Sequence, residues 1–245
     1  AMVSAGSTGA LLASGMVRLG RIKGVERPAL ATVIPSRKRP FLLIDSGANV
    51  DCLPKYLVQF GMMGSVYMHR ILGVDEPRVG LVNIGAEAEK GNQLTKETFK
   101  LMQAQAQFRF EGNVEARDIP SGDIDVVVAD GFAGNLILKY TEGLAQALVG
   151  MLKDEIQSSR KSMLGAAMMK DAFQSFKARM DYEEQGGAPL LGVNGAVVKA
   201  HGSSTARAFK NAIGQAYRMV KTGMVAEIEK GIAEIAQAEK KEENA

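Results

Sequence analysis

The chain has 245 residues, of which 46% are hydrophobic and 23% charged, a composition that is ordinary for a soluble globular protein. Its net charge of +3 is too small to indicate nucleic-acid binding, and its length suffices for one large α/β domain or two smaller ones. The single cysteine, Cys52, excludes an intramolecular disulfide and fits a reducing cytoplasm, and no apolar run is long enough to cross a bilayer.

The first half of the chain alternates predicted strands with predicted helices. In chain order, we predict a helix over 9–20, strands over 28–35 and 41–45, a helix over 54–73, a strand over 79–84, a helix over 93–109 and a strand over 125–130. The short loop between the second and third of these elements favours antiparallel pairing of the two strands that flank it. The remaining alternation predicts a mixed, mainly parallel sheet in a three-layer α/β/α fold.

The second half of the chain has longer helical patterns. Apolar residues keep helical spacing over 144–156, and short strands are predicted over 186–193 and 196–199. A helix that starts at Thr205 is predicted to run on as one long terminal helix and to bury Phe209, Ile213, Tyr217, Val220, Val225, Ile228, Ile232 and Ile235. We expect one α/β domain over 1–245 with a helical excursion over 145–185. Because the chain opens at the end of a strand, we also expect an N-terminal part to be missing from it.

Four apolar runs of the sequence end in small, glycine-rich turns. These runs and their turns span 3–10, 41–49, 79–92 and 125–135. Because an open α/β sheet binds its ligand at the carboxyl ends of its strands, we expect the four turns to lie together. Glycine lets backbone N–H groups approach an anion, and a helix N-terminus that follows the turn adds a favourable dipole. The pattern therefore predicts a composite site for a phosphate or a developing oxyanion.

At these motifs the chain resembles the bacterial phosphate acyltransferases of phospholipid synthesis. The resemblance is distributed along the whole chain, over 4–10, 43–52, 83–92, 130–139 and 187–204. The fold of that family is similar to the folds of isocitrate and isopropylmalate dehydrogenases and of phosphotransacetylase. The chain departs from the family's pattern at Ser7, where asparagine is more common, and the N-terminal segment expected in the family is absent from it.

The resemblance implies that orthophosphate attacks a fatty acyl thioester of acyl carrier protein and gives an acyl phosphate and a free thiol. Such a site needs a cation for phosphate and donors for the carbonyl oxygen as it becomes an oxyanion. The implied catalytic residues are Lys90, Asn135 and His201. Each of them also has a plainer interpretation. Lys90 would be a solvated lysine, Asn135 the N-cap of the next helix, and His201 a histidine that bonds its own loop. No metal or other cofactor is required, and the scattered histidines and cysteine form no zinc pattern.

The resemblance also implies a set of phosphate- and substrate-binding residues in the turns. They are Ser4, Gly6, Ser7, Thr8, Gly9, Asp45, Ser46, Gly47, Asn49, Gly131 and Gly134. For the first turn the alternative role is helix capping. Asp45 is expected to orient Lys90 or a backbone turn, because a carboxylate repels phosphate. Cys52 is interpreted as a packed thiol, since direct attack by phosphate needs no acylated enzyme.

An apolar tip in the helical excursion is rimmed by basic residues. Its apolar members are Met163, Leu164, Met168 and Met169, and its basic members are Arg160, Lys161, Lys170, Lys177 and Arg179. Such a tip suits peripheral contact with an anionic membrane or docking of acidic acyl carrier protein. The alternative is a helical hairpin buried at a dimer interface. A homodimer is expected from the resemblance and from the surplus of apolar helix surface.

Two other functions remain open on the sequence alone. One is a phosphotransacetylase-like enzyme acting on acyl-coenzyme A, which acyl-chain length and carrier preference would distinguish. The other is a non-enzymatic module that binds acyl carrier protein or a membrane surface. A decarboxylating dehydrogenase shares the fold but is not favoured, because Asp123, Asp125 and Asp130 straddle a strand and do not visibly converge on a metal.

Overall fold

The computed structural model describes residues 1–180 and 186–243 of the chain. In this part the strands are β1 (Met2–Ser4), β2 (Ala29–Ile34), β3 (Phe41–Ile44), β4 (Arg78–Asn83), β5 (Arg109–Glu115), β6 (Val126–Val128), β7 (Ala188–Leu191) and β8 (Val197–Lys199). The helices are α1 (Thr8–Arg18), α2 (Pro54–Leu72), α3 (Gln93–Gln103), α4 (Gly131–Gln157), α5 (Arg160–Met168), α6 (Lys170–Met180), α7 (Ala206–Lys221) and α8 (Met224–Glu243). A short 3-10 helix spans Ile119–Ser121.

The strands form one sheet in the order β1-β8-β7-β2-β3-β6-β4-β5. Strands β3, β6, β4 and β5 run parallel to one another, and β2 pairs with β3 as the predicted antiparallel hairpin. Strand β7 is antiparallel to both of its neighbours, β2 and β8, while β1 is parallel to β8. The sheet is therefore mixed, as predicted, and β1 and β8 run opposite to the parallel group.

Helices cover both faces of the sheet, which confirms the three-layer α/β/α fold. Helices α2, α3, α7 and α8 pack on one face, and α1 and α4 pack on the other. Alternate strand residues serve the two faces, so Leu42 and Ile44 lie on the α2 side and Leu43 on the α4 side. Gly64 lets α2 lie close to the sheet, because a Cβ there would come within 2.5 Å of Val126 Cγ1.

The helix predicted over 93–109 is wrong at its C-terminal end. Helix α3 stops at Gln103, and the chain then forms β5, which pairs with β4 at one edge of the sheet. The pairing skips one residue between Phe110 and Gly112, where the φ of Gly112 is +108°. Because the bulge interrupts the alternation of inward and outward side chains, the segment carries a weak strand pattern.

The prediction of a single terminal helix is also wrong. Helices α7 and α8 are separated at Gly223, whose φ is +68°. On α8, Ile228, Ile232 and Ile235 are buried as predicted, and Val225 is partly buried. The four large residues predicted to be buried on α7 are instead exposed, namely Phe209, Ile213, Tyr217 and Val220. The buried face of α7 consists mostly of small residues, Ala208, Ala212, Gln215, Ala216 and Met219, because the helix lies close to its neighbours.

Helix α4 leaves the sheet after its first two turns. Ile137 and Leu138 still pack against the core, whereas no residue in 139–180 is buried. The helical excursion expected over 145–185 falls mainly in this exposed region, and its residues 181–185 lie outside the described part of the chain. No helix among the described residues combines the length and the apolar character that a bilayer crossing requires.

Candidate functional site

Strand direction divides the glycine-rich turns into two groups. Because β1 and β8 run opposite to β3, β4 and β6, their carboxyl ends lie at the other end of the sheet. We call the turns at 45–49, 84–92 and 129–135 the Lys90 edge, and the turns at 5–9 and 200–204 the His201 edge. The prediction that all four turns lie together in one composite site is therefore wrong, because the turn at 5–9 lies at the other end of the sheet.

Asp45 organises the first turn of the Lys90 edge from inside. Its side chain is fully buried and accepts hydrogen bonds from the N–H groups of Leu30 (3.0 Å), Gly47 (3.1 Å), Ala48 (3.0 Å) and Asn49 (2.7 Å). Burial raises the pKa of Asp45, while the N–H groups of Ala48, Asn49 and Gly47 act in the opposite direction. The carboxylate therefore shapes the turn and does not face the solvent side of the site.

Ser46 and Asn49 also use their side chains within the protein. The Ser46 hydroxyl is buried, 2.9 Å from Thr32 Oγ1 and 3.0 Å from the carbonyl oxygen of Leu30. Asn49 Nδ2 donates to the carbonyl of Pro28 at 2.8 Å and to Asp45. Of the residues predicted to bind substrate in this turn, Gly47 is the one that is exposed, with a φ of +131°.

Two glycines join this turn to the turn after β6. The N–H of Gly131 donates to the carbonyl of Asn49 at 2.7 Å, and a Cβ on Gly131 would lie 2.5 Å from that oxygen. A Cβ on Gly134 would lie only 1.9 Å from the carbonyl oxygen of Asp45. Both glycines are buried, so their observed role is close backbone packing, and their predicted role in substrate binding stays a prediction.

Asn135 is not the N-cap of the helix that carries it. That position belongs to Asp130, whose Oδ1 accepts from the N–H of Ala133 at 2.8 Å. Asn135 lies in the second turn of α4 and has an exposed side chain. It stands next to Gly47, because a Cβ added at Gly47 would come within 3.3 Å of the Cβ of Asn135. Its amide is therefore available to a ligand above the turn at 45–49.

Lys90 stands on a loop that a buried amide holds to the end of β4. Asn83 is 8% exposed, its Nδ2 donates to the carbonyl of Lys90 at 3.0 Å, and its Oδ1 accepts from the N–H of Ile84 at 2.8 Å. Asn113 Nδ2 adds a bond to the carbonyl of Glu87 at 2.8 Å. The Lys90 side chain is exposed and, within the described residues, makes no ion pair. Since β4 and β6 are adjacent, Lys90 and Asn135 rise from neighbouring strand ends.

The turns of the His201 edge are held by short-range bonds near the surface. Ser4 Oγ accepts from the N–H of Gly6 at 3.1 Å, and Ser7 Oγ caps α1 by accepting from the N–H of Ala10 at 3.3 Å. His201 is exposed, and its Nδ1 lies 2.7 Å from Ser203 Oγ and accepts from the N–H of Ser203 at 3.2 Å. Capping is thus observed for Ser7, and loop bonding for His201. The ligand roles predicted for these residues and for Thr8 and Gly9 stay predictions.

Lys199 adds a cation to the His201 edge that sequence reasoning did not single out. Its pKa is lowered, first by burial and then by the positive charge of Lys139 on α4. Lys139 is thus near enough to act electrostatically on Lys199, whose Nζ donates to the carbonyl of Ala200. Chain order gives no sign of this pair, because the two residues lie 60 positions apart in the sequence.

The Cys52 thiol is poorly suited to carry an acyl group. Burial, together with the nearby carboxylates of Asp45, Asp130 and Asp51, raises its pKa to about 12. Its Sγ lies 3.5 Å from the carbonyl oxygen of Asn49. At neutral pH the thiol is protonated and is a weak nucleophile, which agrees with its interpretation as a packed thiol.

Asn83 positions the site but was not among the residues predicted for it. Its signal in the sequence is an amide at the end of an apolar strand, directly before a glycine-rich loop, where a buried backbone needs partners.

The apolar residues of the predicted tip, Met163, Leu164, Met168 and Met169, are all exposed, with exposed fractions from 46% to 84%.

The chain is similar to known proteins over almost its whole length. A family model described as a fatty acid synthesis protein matches residues 1–227. A phosphate acyltransferase of Clostridium botulinum (strain Loch Maree / Type A3) is 52% identical over 237 residues, which are 97% of this chain and 70% of that protein. A phosphate acyltransferase of Clostridium perfringens (strain SM101 / Type A) is 52% identical over 232 residues, which are 95% of this chain and 68% of that protein.

A solved structure of more distant sequence shows the same fold. A phosphotransacetylase from Streptococcus pyogenes superposes with a TM-score of 0.56 at 18% identity, over 90% of this chain and 63% of that one. The chain therefore spans less than two thirds of that solved protein. The family match and the close relatives cover the chain almost from end to end, and they place it in the fatty acid synthesis protein family, alongside phosphate acyltransferases.

Proposed function

We propose that the chain transfers a fatty acyl group from the thioester of acyl carrier protein to orthophosphate. A phosphate oxygen forms a bond to the carbonyl carbon, the carbon–sulfur bond breaks, and the products are an acyl phosphate and the thiol of the carrier. The observation that carries the proposal is the Lys90 edge, where an exposed ammonium and an exposed amide stand on neighbouring, rigidly held turns. Family membership supports the same reaction.

The two exposed groups of the Lys90 edge suit the two charges of the reaction. The Lys90 ammonium neutralises phosphate as it approaches the thioester, and the Asn135 amide donates to the carbonyl oxygen as it becomes an oxyanion. Fixed donors stabilise a developing charge without having to reorganise, so the rigidity supplied by Asp45 and Asn83 matters for rate. His201 lies at the other end of the sheet from Lys90 and Asn135 within one chain, so its predicted catalytic role is not part of the mechanism proposed for the Lys90 edge.

The test is phosphate-dependent release of thiol from palmitoyl-acyl carrier protein. We expect Lys90→Ala to lower kcat/KM by about 100-fold, the usual order for removal of one charge-stabilising donor. The matched control is Lys96→Ala, an exposed lysine of α3, which we expect to retain activity and the same Tm. Release that does not depend on phosphate, or that survives Lys90→Ala unchanged, would contradict the proposal.

We extend the proposal to contact between the apolar tip and either the carrier protein or an anionic membrane. All four apolar residues of the tip are exposed, and Arg160, Lys161 and Lys170, which adjoin them in the sequence, give this segment positive charge. Arg179 does not belong to the rim as predicted, because its guanidinium donates to the carbonyl of Arg37 at 2.8 Å. The protein would then work in the cytoplasm and hand its acyl phosphate to a membrane from the surface. Replacing Met163, Leu164, Met168 and Met169 by serine should reduce co-sedimentation with anionic vesicles if the tip contacts a membrane. The same change should reduce binding of carrier protein if the tip contacts the carrier.

A homodimer through α4 is part of the same proposal. This helix exposes eight large apolar side chains, which are Phe132, Leu136, Tyr140, Leu144, Leu148, Val149, Met151 and Leu152. An apolar surface of this kind on a folded chain is typical of a protein interface. Light scattering of the unchanged protein and of Leu148→Asp tests it, since the charge should shift a dimer toward the monomer.

A further inference from the structure

A cavity opens beside the Lys90 edge and reaches into the core. Its volume is about 260 Å³, and it lies between the ends of β4 and β6. The inner wall consists of buried Leu57, Leu81 and Ala129, while Ala133 forms part of the wall on the α4 side. At the surface, Ile84 is 80% exposed, which is unusual for an isoleucine directly after a buried strand.

The polar residues that line this cavity already have partners in the protein. Asn83 bonds the backbone of Lys90 and Ile84, and Asn92 Oδ1 accepts from the N–H of Thr95 at 2.9 Å. Thr95 Oγ1 in turn donates to the carbonyl of Asn92 at 3.1 Å, and Asp130 caps α4. An apolar ligand would therefore leave few polar groups of the wall unsatisfied, whereas a sugar or a nucleotide would find few free partners.

We propose that this cavity holds the part of the acyl chain nearest the thioester, an inference that rests on the proposed function. With the reacting carbonyl at the exposed mouth, next to the loop that carries Lys90, the alkyl chain would run inward toward Leu57, Leu81 and Ala129. Water fills about 30 Å³ per molecule and a methylene is of similar size, so the volume of the cavity corresponds to about nine methylenes. An acetyl group would leave most of it empty, and this distinguishes a fatty acyl substrate from an acetyl one.

The experiment measures how turnover and binding depend on acyl-chain length. Acyl carrier protein loaded with chains of two to sixteen carbons is assayed for phosphate-dependent thiol release, and Kd is measured calorimetrically without phosphate. Ala133→Leu fills the cavity, so we expect kcat/KM for long chains to fall about tenfold more than for short ones. Ile84→Asn makes the mouth polar, and because Ile84 is largely exposed the variant keeps its fold. We expect it to weaken binding of long chains by about tenfold.

The matched control is Ala233→Leu, the same change at an exposed position of α8, which should leave the chain-length profile unaltered. If Ala133→Leu and Ile84→Asn also leave the profile unaltered in both turnover and Kd, the cavity does not hold the acyl chain, while the proposed reaction stands. If the unchanged protein turns over no thioester, the proposed reaction fails, and the Kd series still decides what the cavity binds.

Discussion

The Lys90 edge and the His201 edge carry the same kind of glycine-rich turn but hold it in different ways. At the Lys90 edge, the buried side chains of Asp45 and Asn83 bond the backbone of the turns, and two glycines bring those turns into contact. At the His201 edge, Ser7 and His201 are exposed and bond groups within three residues of themselves. A glycine-rich motif thus says where a chain can turn, while a buried polar partner decides whether the turn is rigid.

The largest loss of stability and activity is expected from adding a methyl group where the two turns of the Lys90 edge touch. Gly134→Ala would place a methyl group 1.9 Å from the carbonyl oxygen of Asp45, where backbone has to move. We expect unfolding to become easier by about 3 kcal/mol and kcat/KM to fall by about 100-fold, because Asn135 shifts with the turn. Thermal denaturation and the thiol-release assay measure both.

The control for this change lies on the same helix. Gly143 has no neighbour within 4 Å of an added Cβ, so Gly143→Ala should raise the free energy of unfolding by roughly 0.5 kcal/mol through helix propensity. A protein that tolerated Gly134→Ala as easily as Gly143→Ala would show that the contact between the turns is not needed.

A smaller effect is expected from removing the amide under Lys90. Asn83→Ala loses two hydrogen bonds and leaves the N–H of Ile84 without its partner, at a cost of about 2 kcal/mol. Activity should fall as well, since Lys90 loses its support. Asn113→Ala removes an exposed bond to the same loop and should cost less than about 1 kcal/mol. Equal losses of stability in the two variants would show that the burial of Asn83 does not strengthen its hold on the loop.

At the His201 edge the corresponding change should be milder. Ser7→Ala removes the cap of α1, and we expect a loss of about 1 kcal/mol in the free energy of unfolding. Urea denaturation measures it. If kcat/KM fell as far as in Lys90→Ala, the two edges would have to meet in the working enzyme, and the comparison between them would no longer hold.

The smallest effect is expected at Cys52. With its pKa raised to about 12 from an ordinary value of 9.0, the thiol carries almost no negative charge at pH 8. Alkylation should therefore be slow in the folded protein, rise with pH up to at least pH 10, and become fast on unfolding. Cys52→Ser should retain thiol release, and its loss would reopen covalent catalysis.

Most elements of the fold follow from local sequence, while the direction of the outer strands does not. The alternation of apolar runs with helical patterns predicted the three layers and the hairpin of β2 and β3. Strand β7 reads like any short buried strand, yet its position between β2 and β8 reverses β8 and β1 relative to the parallel group. Sheet order is a long-range property, so no local pattern reports it.

The candidate site was predicted in part for a similar reason. The positions of Lys90 and Asn135 in the segments that follow two strands can be predicted from the motif, whereas the support from Asn83 depends on a loop that folds back over it. Helix α7 makes the same point, because it has two faces that can pack. The face with Ala212 and Ala216 was buried in preference to the face with Ile213 and Tyr217, since small residues allow close approach.

The contact of Gly134 with the carbonyl of Asp45 has a consequence for engineering the protein. The loop at 45–49 and the first turn of α4 are aligned by main chain against main chain, so their alignment does not depend on which side chains line the opening above them. Ile84 and Ala133 can therefore be varied to change the accepted substrate without resetting the frame on which Asn135 stands. Insertions into the loop at 45–49 or into the first turn of α4, by contrast, would separate the two halves of that frame.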